Sequence, residues 1–216
     1  MDRRRIVCFG DSLTWGYHPV TGLRIPEEER WTGTLQRLLG SDFQVIEEGQ
    51  NSRTIATDDP SEGEKNGLRY IIPCIESHKP LDILIIWLGT NDMKTRYGYA
   101  ADSIAGEMEQ FLEKVQAYNH FHLSDSMKVV LISPPLIGYA DGVSPMEEAF
   151  DFARTREISA ALPERYRQVA ETYGCRFLDV TGTIHVSRAD GVHLEPPETQ
   201  KMGETVYRFL KEEGLL

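Results

Sequence analysis

Short continuous apolar runs alternate along this chain with longer segments in which apolar residues recur every three or four positions. The first kind reads as buried strand and the second as amphipathic helix. Strands are predicted at residues 5–9, 43–46, 82–88, 128–132 and 176–178. Helices are predicted at 30–39, 67–77, 102–118, 146–173 and 198–213, with Gly40 closing the first. Pro73 should kink its helix or lie in its first turn, and Pro163 should split the fourth helix into two pieces. The run from Asp82 to Leu88 is apolar without alternation, which suits a parallel strand covered on both faces. Strands alternating with helices imply right-handed crossovers and a parallel sheet between helix layers, an α/β protein. No internal repeat or linker interrupts the pattern, so residues 1–216 read as one domain. Residues 52–66 form the longest irregular stretch, either a functional loop or a solvated one.

The polar motifs all follow strands. Gly10-Asp11-Ser12-Leu13 follows the first, Glu48-Gly49-Gln50-Asn51 the second, Gly89-Thr90-Asn91-Asp92 the third and Ser133-Pro134-Pro135 the fourth. In a parallel sheet the strand ends share one edge, and that edge is where open α/β folds bind ligands. These loops are therefore expected to meet. A serine hydroxyl at such an edge is a weak nucleophile. It needs a base, a group that orients the base, and donors for the developing oxyanion. His193 is the best candidate base, and Asp190, three residues earlier across Gly191, can fold back to its imidazole. The same four residues also suit a plain turn ending in a surface or capping histidine. Asp179 competes as the orienting acid; Asp190 is preferred because the sequence ties it locally to His193. Oxyanion donors are available in the Ser12 N–H, the Gly49 N–H and the Asn91 side-chain amide. Gly49 also fits an ordinary turn, and Asn91 a helix cap or Asx-turn.

Charge narrows the partners. The net charge of −11 repels nucleic-acid phosphates, and Arg3-Arg4-Arg5 is only a short basic flank, so no nucleic-acid partner is expected. Cys8, Cys74 and Cys175 are odd in number and widely spaced, which argues against a disulfide framework. The first apolar run ends at Gly10, too short for a secretory segment, and no run approaches a membrane span. A cytoplasmic protein without membrane partners is expected. GxGxxG, Walker A and GxSxG patterns are all missing. His120-Phe121-His122 has a spacing seen in metal sites but lacks clustered partners, so neither metal nor cofactor is expected.

The four blocks Gly10-Asp11-Ser12-Leu13, Gly49, Gly89-Thr90-Asn91-Asp92 and Asp190-Gly191-Val192-His193 together resemble the GDSL/SGNH hydrolases, in order and across nearly the whole chain. The resemblance implies a flavodoxin-like three-layer α/β/α sandwich with a five-stranded parallel sheet of order 2-1-3-4-5. It implies a serine acyl-enzyme with Ser12 as nucleophile, His193 as base, Asp190 orienting it, and Ser12, Gly49 and Asn91 as the oxyanion hole. The segments Cys8 to Gly16, Arg30-Trp31-Thr32-Gly33, Val45 to Gly49 and Leu88 to Asp92 are more closely similar to the bacterial arylesterase/acyltransferase branch. That branch acts on short acyl esters, acetyl above all. Some members pass the acyl group to alcohols, and known members form oligomers whose neighbouring subunits narrow the active-site mouth. A homo-oligomer acting on a small ester is therefore implied, with Tyr97, Tyr99 and Phe150 as aromatic residues outside the core pattern. Asp11 and Trp15 are candidate substrate contacts; Trp15 suits equally a wall of the site and a core position on a helix face. Between Leu136 and Leu162 the chain departs from the branch. Carbohydrate acetylesterase, thioesterase or lysophospholipase activity on the same fold, or a non-catalytic binding module, are the alternatives.

Overall fold

A computed structural model describes residues 3–216. Five strands, β1 (Arg4–Gly10), β2 (Phe43–Gly49), β3 (Ile83–Trp87), β4 (Lys128–Ile132) and β5 (Arg176–Leu178), form one sheet of order β2-β1-β3-β4-β5. Every neighbouring pair is parallel. The register aligns the strand ends in one row: Gly10 lies beside Gly49 and Trp87, and Ile132 beside Trp87 and Leu178. The loops that follow these residues therefore leave the sheet side by side. β3 is buried along its whole length, as its uninterrupted apolar sequence demands.

Among the described residues six helices connect the strands and a seventh follows β5: α1 (Ser12–Trp15), α2 (Trp31–Leu39), α3 (Gly67–His78), α4 (Ala101–Leu123), α5 (Glu147–Phe150), α6 (Phe152–Thr172) and α7 (Pro196–Glu212). The chain moves outward from β1 to β2 and then back past β1 to β3. With right-handed crossovers, that reversal sends the first connection to one face and the next three to the other. Accordingly α2 packs against α7, while α4 packs against α3 and α6. Gly203 permits the first contact, since a Cβ there would lie 2.5 Å from the Trp31 carbonyl oxygen. Inside, the Trp31 ring stands edge-on to Trp87 at 5.9 Å.

The expectation that Pro163 splits its helix needs correction. The helix predicted over 146–173 breaks at Asp151, which takes φ 47° and caps α6 by accepting from the Arg154 N–H. Pro163 is buried inside α6, and Pro73 lies inside α3 beyond its first turn. Packing of these apolar faces outweighs the one backbone hydrogen bond that each proline removes. The irregular stretch 52–66 is anchored at its two ends and solvated between them: Arg53, Thr54 and Ile55 are buried and Thr54 bridges to Asn66, while Pro60, Ser61, Gly63 and Glu64 are exposed. Among the described residues no helix is long and apolar enough to cross a membrane.

Candidate active site

Ser12 is the first residue of α1, directly past the end of β1. Asp11 makes the turn possible by capping the helix, its Oδ1 accepting from the Leu13 N–H at 2.9 Å. Gly10 is needed there because a Cβ would lie 2.8 Å from Thr14 Cβ and 2.9 Å from the Trp87 carbonyl oxygen. Ser12 is thus held on rigid backbone.

The other end of the chain comes to it. Before α7, residues Asp190 to His193 turn tightly through Gly191 at φ 75°. Asp190 Oδ1 accepts the backbone N–H groups of Val192 and His193, both at 2.9 Å, and Oδ2 meets His193 Nδ1 at 2.6 Å. His193 Nε2 lies 3.0 Å from Ser12 Oγ, across 181 residues of sequence. Burial of Asp190 alone would raise its pKa; the hydrogen bond and charge of His193 and the two backbone donors outweigh that and hold it below the ordinary carboxylate value. A carboxylate, an imidazole and a hydroxyl in this line can move a proton from the hydroxyl to the ring. Asp179 is elsewhere, accepting from the Thr181 N–H at 2.9 Å and the Ser133 hydroxyl at 3.3 Å.

Ser12 and His193 open into a cavity of about 310 Å³. Asn91 lines it, following β3 in a single 3-10 turn, Asn91–Met93. Its side-chain amide donates to the Arg53 carbonyl at 3.0 Å, which leaves the second amide hydrogen uncommitted. Gly49 is placed differently. A Cβ on Gly49 would lie 2.3 Å from the Trp15 nitrogen, so this glycine lets β2 close against the backbone of α1. It lines a neighbouring cavity of about 550 Å³ with Glu48, Arg53 and Tyr70. The residues shortly after Gly49 that line the Ser12 cavity are Asn51 and Ser52, the latter held at φ 65°.

The candidate substrate contacts also separate. Asp11 is fully buried below the site, and its Oδ2 has no hydrogen-bond partner. Burial raises its pKa to about 6, against the Leu13 N–H and the charges of His193, Arg53 and Lys94. Trp15 lies outside the cavity lining, with the Arg24 guanidinium 5.3 Å above its ring. The aromatic wall is Tyr17, whose ring lies 4.3 Å from the His193 ring. Nothing in its own residue pattern marks Tyr17; the nearest signal is Gly16, which turns the chain out of α1 at φ 87°.

The two sides of the cavity differ in chemistry. One carries Met146, Ala149, Phe150 and Val192. Three of these come from the stretch between Leu136 and Leu162, so that divergent region builds the apolar wall. Phe150 is therefore buried rather than outward-facing, and Tyr97 and Tyr99 stack on each other at 6.0 Å. The other side carries Lys94, Glu62 and Arg96. Lys94 Nζ lies 3.4 Å from both Ser52 Oγ and Glu62 Oε1, and burial lowers its pKa. Burial works to raise the Glu62 pKa, but Arg96, Lys94, Ser52 and Lys65 bring it down to about 2. Asn51 Oδ1, on the same wall, is buried without a donor. His120 pairs with Asp125 and His122 stacks on Tyr118, both on the far part of α4.

Residues 8–198 match the GDSL-like lipase/acylhydrolase family. No curated relative matches the chain. Among solved structures, Est24, a carbohydrate acetylesterase from Sinorhizobium meliloti, is 32% identical, with 98% of this chain and 100% of that one covered and a TM-score of 0.89. The aryl esterase of M. smegmatis is 33% identical, with 99% and 100% covered and a TM-score of 0.88. The lipase/acylhydrolase from Enterococcus faecalis, 22% identical over 97% of this chain and 96% of its own, shares the fold at a TM-score of 0.67.

Proposed function

The chain belongs to the GDSL-like lipase/acylhydrolase family, and from that premise we propose that it is a serine esterase that removes short acyl groups, acetyl above all, from small alcohols, phenols or sugars. The observation that carries this reading is the line Asp190–His193–Ser12, with contacts of 2.6 and 3.0 Å, opening into a small cavity. His193 takes the Ser12 proton as Oγ attacks the ester carbonyl. The Ser12 N–H and the free hydrogen of the Asn91 amide hold the oxyanion. The third donor is a backbone N–H of the loop after β2. Gly49 is the sequence expectation, and Ser52 is the residue we propose for it, because it lines the cavity. His193 then protonates the leaving alcohol, and water closes the cycle by hydrolysing the acyl-enzyme.

Short acyl groups follow from size, because 310 Å³ is at the low end of ligand cavities. A hydroxyl-bearing alcohol suits the polar wall, where Lys94, Glu62 and Arg96 line the cavity. A second alcohol bound there would replace water in the last step and make the enzyme an acyltransferase. The aryl esterase and carbohydrate acetylesterase neighbours support the substrate range. The test is hydrolysis of p-nitrophenyl esters from acetyl to octanoyl by the purified protein and by Ser12→Ala. Activity confined to the shortest esters and lost in Ser12→Ala is expected; a mutant with wild-type turnover would remove Ser12 from the mechanism.

We also propose a homo-oligomer working in the cytoplasm. The three cysteines are unpaired, as a reducing compartment requires. Val20 and Leu23 are 67% and 70% exposed on the loop that follows Tyr17 and returns to it at Arg24, which suits an interface beside the site. Light scattering at micromolar concentration should give a multiple of the chain mass; a monomeric mass contradicts the assembly.

A further inference from the structure

The loop that carries Asn91 ends on a buried carboxyl that the proposed mechanism does not use. Asp92 is fully buried, and its Oδ1 accepts the Ile55 N–H at 2.9 Å. Its Oδ2 is buried without a donor. Within hydrogen-bonding reach stands Glu107, from α4. Glu107 Oε1 accepts from the Thr57 hydroxyl, which also meets the Tyr99 hydroxyl at 2.8 Å, while its Oε2 is likewise buried without a donor. Two acceptor oxygens so placed repel each other if both groups are ionised, and they satisfy each other if one carries a proton.

We propose that Asp92 and Glu107 are bridged by one shared proton, and that Glu107 is through it a positioning residue for the Asn91 amide. The coupling path is short. Asn91 and Asp92 are adjacent in one turn, and both grip the same loop, Asn91 at the Arg53 carbonyl and Asp92 at the Ile55 N–H. Ser52 precedes that loop directly. The bridge thus clamps α4 to two of the three candidate sources of oxyanion donors.

Among the described residues no cation pairs with either carboxyl to replace the proton. From α6, Tyr166 donates to the Leu88 carbonyl at 3.2 Å, and Arg154 is spent on the Met93 and Tyr99 carbonyls. Tyr99 meets the pair only through Thr57, and Asp11, which acts with Asp92 and Glu107 on Tyr166, adds negative charge. Burial and the nearby Glu107 both raise the Asp92 pKa well above its ordinary value, despite the Ile55 N–H. A group raised in the fold stabilises it fully below its unfolded pKa, and that contribution is lost as pH rises through the folded pKa.

The shared proton is tested without reference to catalysis; only the effect on Asn91 rests on the esterase reading. At about pH 8, several units above an ordinary carboxyl pKa, the infrared spectrum of the wild type should contain a carboxylic-acid carbonyl band. Glu107→Gln should lose that band, because its amide N–H supplies the bridge. Its melting temperature and kcat should persist to higher pH than those of the wild type. Glu107→Leu leaves the Asp92 oxygen without a donor and should lower kcat about tenfold with KM little changed, a part of the hundredfold or more that loss of an oxyanion donor costs. No acid band in the wild type, or a band unchanged in Glu107→Gln, overturns the shared proton. A Glu107→Gln pH profile of kcat superimposed on that of the wild type overturns the positioning role. Should Glu107→Leu fail to fold, Glu107→Gln decides both points alone. An inactive wild type that still shows the band would defeat the esterase reading and leave the bridge standing.

Discussion

Replacing Asp190 by asparagine changes one atom and should nearly stop the reaction. Asp190 Oδ1 receives two backbone N–H groups at 2.9 Å, and only an oxygen can accept both. The asparagine carbonyl must therefore take that position. Its amide NH₂ then faces His193 Nδ1 across the 2.6 Å contact. Nδ1 becomes the acceptor, so the ring proton moves to Nε2. That nitrogen, 3.0 Å from Ser12 Oγ, can no longer take the hydroxyl proton. The shape of the site is kept and its tautomer is wrong. The same substitution in a serine protease costs about ten-thousand-fold in kcat, roughly 5.5 kcal/mol of barrier. We expect a comparable loss in p-nitrophenyl acetate hydrolysis, with an unchanged circular dichroism spectrum. Acid sensitivity should change as well. Asp190 has a lowered folded pKa, so the stability it contributes is present above its unfolded pKa and is lost as pH falls through the folded value. The asparagine variant lacks that component. Asp179→Asn should remain active because Asp179 serves the turn at Thr181. Asp190→Asn within tenfold of wild-type rate, or a collapse in Asp179→Asn instead, refutes this reasoning.

Gly49→Ala keeps the backbone N–H but drives a Cβ to 2.3 Å from the Trp15 nitrogen. It should cost about 1–3 kcal/mol by overpacking, or roughly 2–12 °C in melting temperature; an unchanged melting curve would show that the contact relaxes freely. For Asp11, raised to about 6, the sign is the reverse of Asp190. Wild-type stability should fall by about 3 kcal/mol as pH rises from the ordinary carboxyl range through 6. Asp11→Asn, which can still cap α1, should flatten that fall, and parallel denaturation curves for the two proteins would contradict it.

Much of the fold was legible because its signals are local. The apolar runs at Ile6 to Phe9 and Ile83 to Trp87 have no other use than a buried strand, and parallel pairing then brings Ser12 and Asn91 to one edge. Asp190 and His193 were legible because Gly191 allows the turn between them. What stayed hidden depends on contacts between distant segments. Gly49 offers an unhindered N–H in isolation, and only the approach of α1 shows that the missing side chain serves packing. Pro163 reads as a breaker, but its helix face is buried and the chain continues through it. Phe150 reads as an outward aromatic because nothing next to it in the sequence demands the left-handed turn that Asp151 takes to fold it inward. Glu107 looks like any solvated helix position until Asp92 is placed opposite.

The pairing of Ser12 with His193 also sets when this protein can begin to work. Ser12 is synthesised 181 residues ahead of His193, the proposed base, which follows the fifth strand. β1 occupies an interior place in the sheet, so the earliest strand must wait for β3, and the turn at Asp190 is fixed only as α7 settles on α2. Most of the sheet can therefore assemble around an inert serine. During synthesis the nascent chain carries no functioning hydrolase toward the esters around it. In refolding, recovery of turnover should lag the recovery of sheet signal, which makes esterase activity a clock for the last docking event.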